Sequence, residues 1–293
     1  MGNGSYSYED RTVRATIKGY DKKSAGEIFT QRSINNAMSP FGITVRESRD
    51  SEDHPNSVAI VLALDETGSM GSVPHFLVKE GLPEMMSAII KKGILDPQVM
   101  FMGIGDHECD KAPLQVGQFE SSDELLDKWL TDLYLEGNGG GNGGESYHLA
   151  WFFAGRYSEM DCLDKRGQKG FLFTIGDEPV LDELPAGVQK GLMGPGEYKT
   201  MSAVELLEMA QKKFNVYHIH IKETSSGSRQ HVIDGWKQLL ADNLVIANRK
   251  TDVAKLITDI VTKNTPILKV EVDKPSKAEA KTEAKKKEDK IML

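Results

Sequence analysis

The sequence predicts an α/β fold: a doubly wound, mostly parallel six-stranded sheet with helices on both faces, in a Rossmann-like arrangement. Short apolar runs rich in β-branched residues alternate along the chain with amphipathic stretches, which is the pattern of strands connected by helices. The chain has 293 residues, of which 39% are hydrophobic and 27% are charged. It is therefore long enough to bury the core of such a sheet.

Five apolar runs predict buried parallel strands, because each is short, continuous and bounded by polar or turn-forming residues. In chain order these are SVAIVLAL (57–64), VMFMGIG (99–105), FLFTIG (171–176), FNVYHIHI (214–221) and NLVIA (243–247). A sixth run, PLQVGQF (113–119), follows a short polar loop and predicts the returning arm of a hairpin. Apolar residues at helical spacing predict helices around 82–89, 149–153, 122–135, 201–213, 230–241 and 251–263.

These elements place one predicted domain at residues 57–268. Residues 1–56 are predicted to form an N-terminal extension that packs on this domain. Within it, apolar and polar residues alternate as in strands in RTVRATIKGY (11–20) and GITVRES (42–48). Residues 269–293 predict a charged, disordered tail, because the stretch 273–290 has no aromatic residue, leucine or isoleucine with which to form a core.

Composition excludes several classes of function. The formal net charge of −8 disfavours binding to nucleic acid, whose phosphates would be repelled. No apolar run reaches the roughly 20 residues of a membrane helix, and the N-terminus has no hydrophobic targeting core. We therefore expect a cytoplasmic protein with no nucleic-acid or membrane partner.

Oxygen-bearing side chains follow two of the predicted strands and end a glycine-rich loop. Asp65, Thr67 and Ser69 come directly after the first strand, and Asp177 follows the strand at 171–176. The loop EGNGGGNGGES (136–146) ends near Glu145, where Gly143 and Gly144 would allow unusual dihedral angles. In parallel α/β sheets such loops meet beyond the carboxyl ends of the strands. Carboxylate and hydroxyl oxygens without Cys or His predict a hard cation, Mg²⁺ or Mn²⁺.

Other interpretations of these residues have physical grounds. A D-x-T-x-S sequence taken alone is typical of a helix N-cap. Asp65 after a strand is also how haloacid-dehalogenase-like phosphatases begin, with that aspartate as the nucleophile. That chemistry needs a second aspartate where Thr67 stands, so the alternative is a Mg²⁺-dependent hydrolase that lacks its general acid. His218, His220 and His231 offer a second, zinc-type site, although histidines on a buried strand are commonly core residues.

Three motifs, D-x-T-G-S after the first strand, the glycine-rich loop with Glu145, and Asp177 after a later strand, together resemble a von Willebrand factor type A domain with its metal-ion-dependent adhesion site. The resemblance covers roughly residues 57–265. The segment RESRD (46–50) also resembles the stretch that precedes the first strand in microbial and phage cytosolic proteins of this type. The family pattern D-x-S-x-S has Thr67 at its first hydroxyl here. In place of the usual loop threonine stands Glu145, as in members similar to integrin β-subunit domains.

The resemblance implies a role for each residue. Thr67, Ser69 and Glu145 would bind Mg²⁺ directly, whereas Asp65 and Asp177 would hold it through waters. The sixth position would take a carboxylate of a partner protein, which implies a binding module and not an enzyme. Partners of the self-assembly or ATPase-adaptor type are both consistent with this. Asp106 in GIGDHECD and Ser146 beside Glu145 are further candidates, and the loop 177–200 is the predicted specificity surface.

Overall fold

The computed structural model describes residues 4–68, 70, 72–137 and 142–266. Ser69, which is one of the predicted metal ligands, lies outside the described residues, and so do Gly71, the centre of the glycine-rich loop and the predicted tail at 269–293.

Strands and helices alternate along most of the described chain. The strands are β1 Arg46–Ser48, β2 Val58–Asp65, β3 Pro97–Ile104, β4 Leu114–Val116, β5 Ser158–Met160, β6 Gly170–Gly176, β7 Glu183–Leu184, β8 Met201–Ser202, β9 Phe214–Ile221 and β10 Leu244–Ala247. The helices are α1 Tyr8–Lys18, α2 Ala25–Ile28, α3 Ser72–Phe76, α4 Leu82–Lys91, α5 Asp123–Thr131, α6 His148–Tyr157, α7 Asp161–Asp164, α8 Ala186–Met193, α9 Ala203–Gln211, α10 Gln230–Leu240 and α11 Val253–Asn264. Short 3₁₀ turns cover Asn36–Met38, Ala241–Asn243 and Lys250–Asp252.

A six-stranded sheet in the order β10-β9-β6-β2-β3-β4 forms the centre of the molecule. Neighbouring strands are parallel except β4, which returns antiparallel to β3. The predicted doubly wound, mostly parallel α/β fold is therefore confirmed, including the hairpin arm. β2 is central and every residue in it is buried, which explains why its sequence is a continuous apolar run.

The side chains of the sheet alternate between two hydrophobic cores. Ile60, Leu62 and Leu64 of β2 join a core with residues of α4, α5 and α11. Ala59, Val61 and Ala63 face the opposite side and join residues of α6, α9 and α10. Helices therefore cover both faces of the sheet, as the sequence predicts.

The N-terminal region differs from its prediction at residues 11–20. These residues are largely in helix α1 and not in a strand, because Ser7 caps the helix start by accepting a hydrogen bond from the Asp10 N–H at 3.1 Å and Gly19 ends it in the left-handed region. Val13 and Ile17, which contribute to the alternating pattern in the sequence, lie on the exposed face of this helix. Part of the second predicted strand is confirmed as β1, which pairs with β5 and lies outside the main sheet.

One wide π turn, Leu77–Gly81, joins α3 to α4. The Leu82 N–H donates to the Leu77 carbonyl, and the next donor in that register would be Pro83, which has no N–H. The Val78 carbonyl therefore lacks a donor within the helix. The buried guanidinium of Arg11 on α1 donates to it instead.

The segment 177–200 is more ordered in secondary structure than a loop. It contains β7 and helix α8, which begins after Pro185 and ends at Gly194, where φ is +92°. The prediction that residues 177–200 form a loop is therefore wrong for β7 and α8, because Pro and Gly here mark the ends of a helix. Among the described residues, no helix has the length and apolar character to cross a membrane.

Candidate metal site

The strand order places the candidate site where the direction of winding changes. From β2 the chain continues to β3 and β4 on one side, and then returns to place β6 against the other side of β2. Asp65 is the last residue of β2, and Asp177 directly follows β6. Ligands of open α/β sheets bind in the crevice that such a switch creates.

The Asp65 carboxylate is held by three hydrogen bonds. Its Oδ1 accepts from the Thr67 N–H at 2.9 Å and from the Thr67 hydroxyl at 2.6 Å. Its Oδ2 accepts from the Tyr147 hydroxyl at 2.5 Å. An oxygen of a carboxylate has two lone pairs, so these bonds leave one lone pair of Oδ2 unused and none of Oδ1.

Tyr147 reaches Asp65 because Gly176 leaves room for its ring. A Cβ on Gly176 would overlap the Tyr147 hydroxyl, so a larger residue at the end of β6 would displace this tyrosine. Burial and the charges of Asp65 and Glu145 raise the pKa of Tyr147 well above its usual value. The phenol therefore stays protonated and donates to Asp65 over the physiological range.

Glu145 is carried to the site by a short bridge to the segment after Asp177. The Glu145 N–H donates to the Pro179 carbonyl at 2.8 Å, and the Leu181 N–H donates to the Glu145 carbonyl at 3.1 Å. Before it, Gly143 has φ of +80°, as expected for the end of the glycine-rich loop. Glu145 is only 2% exposed, and its Oε2 has no hydrogen-bond partner among the described residues.

Three buried acids influence one another here. Burial, reinforced by the charge of Asp177, raises the pKa of Asp65 to about 7, even though the hydrogen bonds from Thr67 and Tyr147 act to lower it. Burial, followed by the charges of Asp65, Asp110 and Asp106, raises the pKa of Glu145 to about 10. Without a cation, the carboxyl groups of Asp65 and Glu145 therefore resist ionisation.

The negative charge of these acids and the unused oxygen of Glu145 would suit a divalent cation. Within the described part of the chain, no three side chains of His, Cys, Asp or Glu are arranged to hold a metal ion. The predicted ligand set also counts the hydroxyl of Thr67, which is 4% exposed, and that of Ser69, which lies outside the described residues. The orphaned Glu145 Oε2 and the mutually repelling acids are the features that a cation would satisfy.

The two further candidates have separate contacts. Asp106 accepts the Glu108 N–H at 2.9 Å through Oδ1 and so caps a turn, while its charge contributes to the raised pKa of Glu145. The Ser146 hydroxyl accepts from the His107 N–H at 2.9 Å and lies 2.7 Å from the His107 Nδ1. Ser146 therefore joins the loop after β3 to the loop that carries Glu145.

The histidines of β9 lie in the core beneath the site. His218 stacks on Trp236 with ring centroids 3.6 Å apart, and its Nδ1 lies 2.9 Å from the Thr174 hydroxyl. His220 Nε2 lies 2.8 Å from the Gly227 carbonyl. Burial lowers the pKa of both imidazoles. His231 is exposed on α10, so the three are not gathered as zinc ligands.

Sequence reasoning missed Glu66 and Tyr147. Glu66 is 2% exposed and accepts from the Gln115 amide, and burial raises its pKa well above the usual value. Its carboxylate occupies the space that a Cβ on Gly103 would take. The only local signal for Glu66 was its place within DETGS, and Tyr147 had none, because its contact with Asp65 spans 82 positions.

Comparison with known proteins gave matches among solved structures only. No protein-family model and no curated protein matches the chain. The pilus adhesin SpaC from Lactobacillus rhamnosus GG is 12% identical, with 74% of this chain covered and a TM-score of 0.46; the chain spans 31% of that protein. The vWF domain of the type V pili tip protein Mfa5 from Porphyromonas gingivalis is 9% identical, with 71% and 94% of the two chains covered and a TM-score of 0.44. An aerotolerance-related membrane protein from Bacteroides fragilis NCTC 9343 is 13% identical, with 70% and 99% covered and a TM-score of 0.42.

Proposed function

We propose that the chain is a protein-binding module of the von Willebrand factor A type that holds Mg²⁺ or Mn²⁺ and uses it to bind an acidic residue of a partner protein. Asp65, Thr67, Ser69, Glu145 and Asp177 would hold the metal. The observation that carries the proposal is the group of buried acids at the switch point, of which Glu145 has an oxygen without a hydrogen-bond partner.

The chain's own residues shape this site before any metal binds. Thr67 and Tyr147 orient the Asp65 carboxylate, and the bridge to Pro179 fixes the backbone of Glu145. Such preorganisation reduces the conformational entropy lost on binding. When bound, a divalent cation supplies the positive charge that attracts a partner's carboxylate, which this acidic chain could not otherwise do.

The hydrolase alternative fits the geometry less well. Asp65 is fully buried, and both of its oxygens accept hydrogen bonds, so it is poorly placed to attack a substrate. The Thr67 hydroxyl donates to that same carboxylate and does not take the position of a general acid. These contacts support a binding role and not a catalytic one.

Titration calorimetry with Mg²⁺ and with Mn²⁺ tests the proposal. We expect the wild type to bind and both Asp65→Asn and Glu145→Gln to lose at least about tenfold in affinity, since each removes a charge from a site of few ligands. Glu183→Gln is the matched control, because Glu183 is an exposed acid on β7. Circular dichroism checks that every variant is folded.

The outcomes separate clearly. Loss of binding in both site variants, with the control unchanged, supports the metal site. If the wild type binds neither metal, the proposal is wrong, and Asp65 and Thr67 are residues of an ordinary turn. Where metal binding is found, size-exclusion chromatography in Mg²⁺ and in EDTA distinguishes a self-assembling module from one that needs a different partner. A partner such as an ATPase would be found by co-purification.

A further inference from the structure

An apolar groove of about 470 Å³ lies between the segment after Asp177 and helices α9 and α10. Its apolar walls are formed by Pro179, Val180, Val204, Val232, Trp236 and Leu239. Val204 is 52% exposed on its rim. The described lining residues include one acid, Asp182, and no lysine or arginine, so the groove suits an apolar side chain and not an anionic one.

The groove is continuous with the candidate metal site through the backbone. Val180, in its wall, is the bridge partner of Glu145, and bridge partners have Cα atoms about 5 Å apart. The hydrogen bonds from the Glu145 N–H to the Pro179 carbonyl and from the Leu181 N–H to the Glu145 carbonyl hold this wall of the groove against Glu145. A single short peptide segment can therefore reach both places.

Trp236 provides a second connection. Its Nε1 donates to the Glu178 carbonyl at 2.9 Å, and Glu178 directly follows Asp177. Its ring stacks on His218 and meets the Tyr147 ring edge-on at 5.4 Å. Tyr147 in turn donates to Asp65. The wall of the groove and the acids of the site are thus parts of one packed unit.

We infer that the groove takes a large aliphatic or aromatic side chain of the same partner segment whose acidic residue binds at the metal site. This inference rests on the proposed function and specifies the partner further: an extended segment with a carboxylate and a large apolar residue a few positions apart. With a chain charge of −8, a purely acidic segment is repelled at long range, so the apolar anchor supplies attraction that charge does not.

Gly235 allows the groove to be filled without disturbing the core. It lines the groove on α10, and a Cβ placed on it meets no other atom within 4 Å. Leucine is also a better helix former than glycine, so Gly235→Leu is expected to fold. Gly26→Leu is the matched control, since Gly26 is likewise an open glycine within a helix, α2, and lines neither the groove nor the segment 177–200.

The probe is a displayed library of random peptides, selected on the full chain in Mg²⁺. Enriched peptides are synthesised and their affinities measured by fluorescence anisotropy on the wild type, Gly235→Leu, Gly26→Leu and Glu145→Gln. We expect an acid and a large apolar residue at a preferred spacing. Filling the groove should weaken binding by about tenfold or more, which is the effect of losing one buried side chain.

Calorimetry with Mg²⁺ alone separates this inference from the proposed function. The inference is supported if Gly235→Leu binds Mg²⁺ as the wild type does but loses the peptide, while Gly26→Leu keeps both. It is overturned if Gly235→Leu binds peptide like the wild type, if no Mg²⁺-dependent peptide is recovered, or if peptide binding ignores both EDTA and Glu145→Gln. Failure of the wild type to bind either Mg²⁺ or Mn²⁺ refutes the proposed function itself.

Discussion

Replacing Glu145 with glutamine should stabilise the metal-free protein and at the same time weaken its metal binding. Glutamine keeps the length and shape of the side chain but has no charge to desolvate. Burial and the neighbouring charges raise the pKa of Glu145 from its ordinary 4.5 to about 10, so the folded protein keeps this proton where the unfolded chain has lost it. Folding of the wild type at neutral pH is therefore coupled to the uptake of a proton by Glu145, which costs free energy.

The size of the effect follows from this linkage. Between pH 4.5 and about 10 the folded state binds more protons at Glu145 than the unfolded state, so wild-type stability falls as the pH rises. Each pH unit contributes about 1.4 kcal/mol, which gives up to about 4 kcal/mol at about pH 7.5. Glutamine does not titrate. The extra free energy of unfolding of Glu145→Gln over the wild type should therefore be near zero at about pH 4.5 and rise to about 4 kcal/mol at about pH 7.5.

Urea unfolding in EDTA at several pH values between about 5 and 8 measures the difference. Repeating the series in Mg²⁺ should reverse part of this difference. A ligand at a hundred times its Kd stabilises the wild type by about 2.7 kcal/mol, and the variant, which binds more weakly, gains less. The exposed acid Glu183 provides the control variant Glu183→Gln, whose stability should follow the wild type. A gap between Glu145→Gln and the wild type that stays constant with pH would refute the reasoning.

Two further substitutions test buried and partly buried ion pairs away from the site. Arg11→Met should lower the free energy of unfolding by about 3 kcal/mol, because it removes the donor to the Val78 carbonyl and a buried partner 3.3 Å from Asp127. Asp50→Asn should lower it by about 1 to 3 kcal/mol at neutral pH. Burial alone would raise the pKa of Asp50, but hydrogen bonds from Arg166 and from Ser57 outweigh it and lower the pKa from 3.8 to about 2.

Both effects are measured by urea unfolding. For Arg11 the control is Arg14→Met, whose side chain is 25% exposed beside Asp123 and should contribute about 1 kcal/mol or less. Equal losses in the two arginine variants would contradict a special role for Arg11. For Asp50→Asn, the difference from the wild type should be full above pH 3.8 and disappear as the pH falls toward 2, since the wild-type carboxyl is then protonated. A difference that persists there would exclude the charge as its cause.

Local sequence was sufficient for the central sheet and its helices. The run at 57–64 is apolar at every position because β2 is covered on both faces, and the hairpin arm β4 follows from a short polar loop. The same local logic placed Asp65 and Asp177 at strand ends, because the end of an apolar run marks the end of a buried strand. It failed at residues 11–20, where capping by Ser7 and Gly19 outweighed an alternating pattern.

Only the tertiary structure decided what surrounds those strand ends. Tyr147 reaches Asp65 across 82 positions, and Arg11 reaches Val78 across 67, so neither contact has a local signature. Both depend on the order in which strands lie side by side, which the chain adopts only when distant segments bury a common core. The residues by themselves determined that oxygen atoms would stand at the ends of strands. The packing of strands and helices around them determined that these oxygens are buried, compete for protons and border an apolar groove, because charge and solvent access depend on the assembled surroundings.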